Sequence, residues 1–159
     1  MNISAIVATL LPFIGGFLGK NIVKNNIASW YVHLRKPSWT PSSLAIRTIW
    51  SVIYACMGYA SYLVYNEGGN TMALVLYGVQ LLLTWSVSPV FFGLHNLKMA
   101  AYQGCVLWVA VASCGIKFYS INQIAGLLFV PYQAWITFAT FLSFQIWTLN
   151  GDKPEFGKK

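Results

Sequence analysis

The stretch WYVHLRKPSWTPSS, residues 30–43, decides how the rest of the chain is read. It gathers Trp30, Tyr31 and Trp39 with His33, Arg35 and Lys36, and adds Pro37 and Pro41. On either side the sequence is almost free of charge. Residues 1–19 carry none before Lys20, and residues 48–66 carry none between Arg47 and Glu67. Further along, residues 68–97, 99–116 and 118–151 are uncharged, bounded by Lys98, Lys117 and Asp152. A membrane-crossing helix needs about 20 apolar residues. These runs predict five spans, at about 4–23, 44–65, 72–92, 97–117 and 124–148. Helices are preferred over a barrel because the runs are continuously apolar, without ten-residue alternation. The fold expected is an all-α membrane protein, a single domain of five transmembrane helices with a long, ordered first loop at 24–43.

Composition supports this. Of 159 residues, 57% are hydrophobic and 8% are charged, with a mean hydropathy of +0.60. Soluble domains carry roughly 25% charged residues, so lipid is the solvent over most of the surface. The net charge of +7 does not point to nucleic acid, because the cations sit between apolar runs rather than on one basic face. Cys56, Cys105 and Cys114 lie in apolar runs without a CxxC pair, and read as buried thiols. The first twenty residues lack a basic start, and read as a retained helix rather than a cleaved leader.

The cations also orient the chain. With five spans, one side holds only Lys117. The other holds Lys24, Arg35, Lys36, Lys98, Lys153, Lys158 and Lys159, with Lys20 and Arg47 near its boundary. The positive-inside rule puts that second side, with the first loop and the C-terminus, in the cytosol.

Inside the spans, Trp50, Tyr54, Gly58 and Ser61 share one helical face. Trp135, Ala139 and Leu142 share another, and Trp85 precedes Pro89, which should kink the third span. Such aromatic stripes serve ordinary packing more often than a ligand, yet Trp and Tyr carry polar handles that need partners in lipid. Gly15 and Gly19 form a GxxxG suited to internal packing or to a dimer face. Glu67, Asp152 and Glu155 are the only carboxylates, all at predicted membrane edges, so no acid–base pair or ion relay is visible. His33 and His95 lack the further ligands a metal would need, and no metal or required cofactor is expected.

Several motifs together resemble the translocator protein family (TspO/MBR, also tryptophan-rich sensory protein or peripheral-type benzodiazepine receptor). They are Gly15-Gly16-Phe17, Trp30-Tyr31, Lys36-Pro37-Ser38-Trp39 with Pro41, Met57-Gly58-Tyr59, and Phe91-Phe92-Gly93. Gln80, Pro131-Tyr132, Ala134-Trp135, Phe138-Ala139-Thr140 and Trp147 extend the match over nearly the whole chain. The details look closest to animal members.

The resemblance implies a five-helix bundle in the mitochondrial outer membrane, often a homodimer, with a cavity closed by the first loop. It implies porphyrin or haem as ligand, sterol in animals, and benzodiazepine or isoquinoline carboxamide drugs. The matching pocket positions would be Val23, Ile46, Ile49, Trp50, Tyr54, Trp85, Trp135, Ala139 and Leu142, with His33 above them. The lid would comprise Trp30, Tyr31, Arg35, Lys36, Pro37, Trp39 and Pro41. Porphyrin would stack on Trp50, Trp85 and Trp135, with its propionates on Arg35, Lys36 or Arg47. Binding without turnover is the leading expectation; porphyrin breakdown, or carriage of sterol or porphyrin across the membrane, are the alternatives.

The sequence also departs from the family. The Tyr-and-Arg sterol motif of animal members is replaced by Ser143-Phe144-Gln145-Ile146-Trp147-Thr148, which weakens the expectation of sterol binding. Val75 and Val79 replace the third-span GxxxG, and Val87 a second Trp. Met99, Tyr102 and Gln103 replace a Trp, a small residue and an Asp in the fourth span.

Overall fold

The computed structural model describes residues 3–154, so Glu155, Lys158 and Lys159 lie outside the described residues. The described residues are helical, without a strand: α1 (Ile3–Leu10), α2 (Phe13–Ser29), α3 (Ser43–Asn66), α4 (Thr71–Ser88), α5 (Leu97–Tyr119), α6 (Gln123–Leu127) and α7 (Val130–Asn150). Four rods are long and apolar enough to cross a membrane: Ile3–Ser29, Thr71–Gly93, Leu97–Tyr119 and Gln123–Asn150. The remaining helix, α3, has 24 residues and so is about 36 Å long, enough to cross, but it carries more polar side chains, among them Arg47, Ser51 and Ser61.

Four helix starts, those of α3, α4, α5 and α6, are fixed by a side chain. Ser42, Asn70, Asn96 and Asn122 accept from the backbone N–H of Ala45, Ala73, Met99 and Ala125, at 3.2, 3.2, 2.9 and 3.0 Å. Each thereby satisfies a donor that the first helical turn leaves open.

Proline sets the breaks. Pro12 lacks the N–H that would continue the ladder, so the first rod is interrupted between α1 and α2 rather than running straight. Pro89 opens a single π turn, Pro89–Gly93, closed by Leu94 N–H to the Pro89 carbonyl at 3.0 Å. Pro131 lies in the first turn of α7, and the last rod accordingly begins as the separate short helix α6.

The first connection is shorter than the predicted 24–43. Lys24, Asn25 and Asn26 remain in α2, where Asn26 Nδ2 and Ser29 Oγ bond back to the carbonyls of Ile22 and Asn25. Charge marks where hydrocarbon ends, and the backbone ladder continues past that point. A 3-10 turn, Tyr31–His33, follows, and only then does the chain become irregular.

The glycines of α2 serve internal packing. A Cβ at Gly15 would lie 1.8 Å from Trp85 Cδ1, and one at Gly19 would lie 3.2 Å from Ser88 Cβ. The GxxxG face is thus turned onto α4. Gly58 lets α1 cross α3 in the same way, since a Cβ there would meet Thr9 Cα at 2.6 Å.

Two apolar clusters result. The larger joins Ile53, Met57, Tyr77, Val111, Phe118 and Tyr132 along the bundle axis. The smaller, under the first loop, joins Trp30, Leu34, Phe91, Leu97, Leu142 and Ile146.

Candidate functional site

Three of the predicted aromatics meet. Trp50 and Tyr54, one helical turn apart on α3, have ring centres 5.5 Å apart. Trp135 of α7 presents its edge to Trp50 at 6.5 Å and 88°. Phe138 stacks on Trp135 at 5.4 Å and 27°, and Phe13 of α2 meets Tyr54 edge-on at 5.5 Å. Val23, Ile46, Ile49 and Ala139 are half-buried, while Leu142 is buried under the first loop.

A polar cluster lies beside the rings. Gln80, Thr84 and Tyr132 are 0%, 3% and 0% exposed. The Thr84 hydroxyl donates to the Gln80 carbonyl at 2.7 Å, so its one proton is committed. The Tyr132 proton is then shared between Thr84 Oγ1 and Gln80 Oε1, the latter at 3.2 Å. Trp50 covers Tyr132, ring centre to ring centre, at 6.2 Å.

Against these satisfied groups, the indole N–H of Trp135 is buried with no hydrogen-bond partner, as is Thr140 Oγ1 five residues on. Buried donors are nearly always paired, and an unpaired one in low dielectric is costly. Trp135 therefore offers a bond to an acceptor that the protein itself does not supply.

Trp85 sits elsewhere than the predicted stack. Its ring lies against Gly15, and its N–H donates to the Pro12 carbonyl at 3.0 Å. The break at Pro12 creates that acceptor. In this arrangement Trp85 joins α4 to the α1–α2 turn, and its donor is already used.

Lys36 is also engaged. Its Nζ donates to the carbonyls of Tyr31 and Leu34 at 2.6 and 2.9 Å and lies 4.5 Å from the centre of the Tyr31 ring. Desolvation lowers its pKa. It ties the loop to itself, whereas Arg35 and Arg47 are exposed at the same end of the bundle.

The rest of the loop makes aromatic and backbone contacts. Trp30, 4% exposed, stacks on His95 at 4.3 Å and 21°, with the edge of Phe91 at 5.6 Å. His95 adopts φ of +51°, rare for a side chain with a Cβ, and its Nε2 is 2.8 Å from Asn26 Oδ1. Pro37 opens a turn in which Thr40 donates to its carbonyl through both N–H (3.1 Å) and Oγ1 (2.7 Å). Trp39 is thereby laid on α7, against Phe138 at 5.6 Å and stacked on Phe141 at 5.7 Å. Pro41 leads into the Ser42 cap, and His33 is exposed on the 3-10 turn.

Phe138 thus joins loop to site: Trp39 touches it on one side and Trp135 on the other. Neither this link nor the polar cluster was expected as part of the site. The available signal was Gln80 and Thr84 four residues apart in an uncharged run, which puts both on one helical face. Two apolar grooves, of about 390 and 420 Å³, lie away from these rings, one bordered by α1, α3 and α4 and the other by α5, α6 and α7.

Such an arrangement defines a multi-pass helical membrane protein with an aromatic interior under a folded loop. The sequence pattern of the TspO/MBR family matches residues 8–148, and the chain belongs to that family. It is 36% identical over 153 residues to the translocator protein of Homo sapiens, covering 93% of this chain and 90% of that one. It is 32% identical over 153 residues to translocator protein 2 of Homo sapiens, covering 92% and 90%. Over 126 residues it is 36% identical to the tryptophan-rich sensory protein of Cereibacter sphaeroides, covering 79% and 80%.

Proposed function

We propose that this protein is a membrane receptor for a flat, largely apolar ligand of the porphyrin class, held among Trp50, Tyr54 and Trp135. The observation that carries the reading is the buried, unpartnered indole N–H of Trp135 beside Trp50 and Tyr54. It would donate to an acceptor on the ligand while the rings supply stacking area. Trp39 would lift from Phe138 and Phe141 to admit the ligand, making the first loop a lid. Arg35 and Arg47, rather than Lys36, would meet acidic substituents at the mouth.

In this reading all five rods cross the bilayer, α3 included, since Arg47, Ser51 and Ser61 all bond to carbonyls of α3 itself, those of Ser43, Arg47 and Gly58. The cation-rich end faces the cytosol. The membrane is the mitochondrial outer membrane, as the resemblance to animal members implies; fractionation of cells expressing a tagged chain checks this.

The binding test is titration of the purified protein in detergent with protoporphyrin, followed by Trp quenching. Trp135→Phe keeps the ring and removes the donor, and is expected to weaken binding by about tenfold, the worth of one such bond. Trp50→Ala is expected to weaken it further. Unchanged affinity in both variants would sink the assigned pocket. Sterol and an isoquinoline carboxamide serve as competing probes of the same site.

A further inference from the structure

We infer that the end of α7 and the four residues after it form a strap that positions the first loop, with Asn150 as its principal positioning residue. The chain can turn back here because Gly151 adopts φ of +79°, a backbone region that side chains with a Cβ rarely occupy. Its N–H closes α7 on the Trp147 carbonyl at 2.8 Å. Beyond it, the chain runs across the ends of α5 and α2. The Asp152 carbonyl accepts from Leu97 N–H at 2.8 Å, and its carboxylate accepts from the Trp147 indole at 2.7 Å. The Pro154 carbonyl accepts from the Trp30 indole at 3.0 Å.

Asn150 makes the decisive contact. Its Oδ1 accepts from Arg35 N–H, and its Nδ2 donates to the Arg35 carbonyl, both at 2.8 Å. The remaining Nδ2 proton goes to the Ile146 carbonyl at 2.7 Å. Both amide protons are used and the amide orientation is determined. The side chain pairs with the loop backbone as a neighbouring strand would, 115 residues away in sequence. Trp30 is fixed before this point by the Pro154 carbonyl and by stacking on His95. Trp39 is fixed after it by α7. The strap therefore holds the segment from Trp30 to Arg35, while the tip bearing Trp39 relies on ring contacts that can part. A loop held at its base and released at its tip is a lid on a hinge.

The consequence for ligand kinetics rests on the function proposed above; the strap itself does not. The test compares backbone hydrogen exchange of residues 31–42 in lipid nanodiscs for the wild-type chain, Asn150→Ala and Gly151→Val. The second variant keeps Asn150 but disfavours the reversal that directs the strap. Both are expected to raise exchange in the loop by about tenfold or more, the worth of one to two lost bonds, with helical segments of α5 unchanged. Protoporphyrin association and dissociation rates should rise together in both variants, with a smaller change in their ratio. Unaltered loop exchange in both variants overturns the strap. Faster exchange with unaltered ligand rates overturns its role in positioning a lid. Should the wild-type chain not bind protoporphyrin, the function proposed above fails, and exchange alone decides the strap.

Discussion

Two tryptophans that look alike in the sequence have opposite settings. Trp85 is committed, its N–H to Pro12 and its ring to the space that Gly15 leaves. Trp135 is not, its N–H being buried and unpaired. Gly15→Leu should therefore destabilise the bundle by about 1–3 kcal/mol, the usual cost of overpacking. Trp135→Phe should cost little, because the group removed made no bond and its burial was itself unfavourable. Thermal unfolding in detergent distinguishes the two, and equal losses would contradict the difference in setting. Tyr132→Phe tests the polar cluster. It leaves Gln80 Oε1 without the hydroxyl donor at 3.2 Å, and should cost about 1–3 kcal/mol by the same measurement. A neutral result would mean that water or a ligand takes the place of the phenol.

At the scale of the helices, the asparagines ending the turns matter more than their exposure suggests. Asn70 Oδ1 accepts from Ala73 N–H at 3.2 Å and starts α4. Asn70→Ala should cost about 0.5–2 kcal/mol, and Asn70→Asp, which keeps the acceptor, much less. Chemical unfolding checks this; equal losses for both would show that the cap contributes nothing. The long apolar rods and their approximate bounds were legible because a charge within hydrocarbon is expensive, so Lys20, Arg47, Glu67, Lys98, Lys117 and Asp152 mark where apolar runs stop. That signal is blind to hydrogen bonding. It gave no break at Pro12 or between α6 and α7, where the residues are apolar but the ladder fails, and it ended the first helix six residues before Ser29. The meeting of Trp50, Tyr54 and Trp135 was half legible: helical spacing gave each face, but which faces oppose one another depends on three-dimensional packing. The commitments of Lys36 and Trp85 were not legible, since their acceptors are carbonyls exposed by a loop and a break.

Taken whole, the bundle has two ends that can be assigned from bonds alone. Asn150 meets Arg35, Pro154 meets Trp30 and Asp152 meets Leu97, so the first loop, the α4–α5 turn and the C-terminal strap share one end. Asn122 Nδ2 donates to Glu67 Oε1 at 3.2 Å, so the α3–α4 and α5–α6 turns share the other. Rods that each cross from end to end require this pairing, because successive connections must lie at opposite ends and alternate ones at the same end. The first end carries Lys24, Arg35, Lys36, Lys98 and Lys153, whereas the second carries Lys117, so the positive-inside rule predicts that the first end faces the cytosol. Single cysteines placed in a background lacking Cys56, Cys105 and Cys114 test both statements. Ser38→Cys and Lys153→Cys should react with an impermeant maleimide added from the cytosolic side of sealed membranes. Gly69→Cys should react only after the membrane is opened. Its position tolerates the change structurally, since nothing lies within 4 Å of a Cβ there, although its φ of +61° adds some strain. Labelling of Gly69→Cys and Lys153→Cys from one side would show that α4, α5 and α7 do not make an odd number of crossings between them. Labelling of the two from opposite sides, but with the directions exchanged, would leave the bundle intact and show that the cations do not set its orientation.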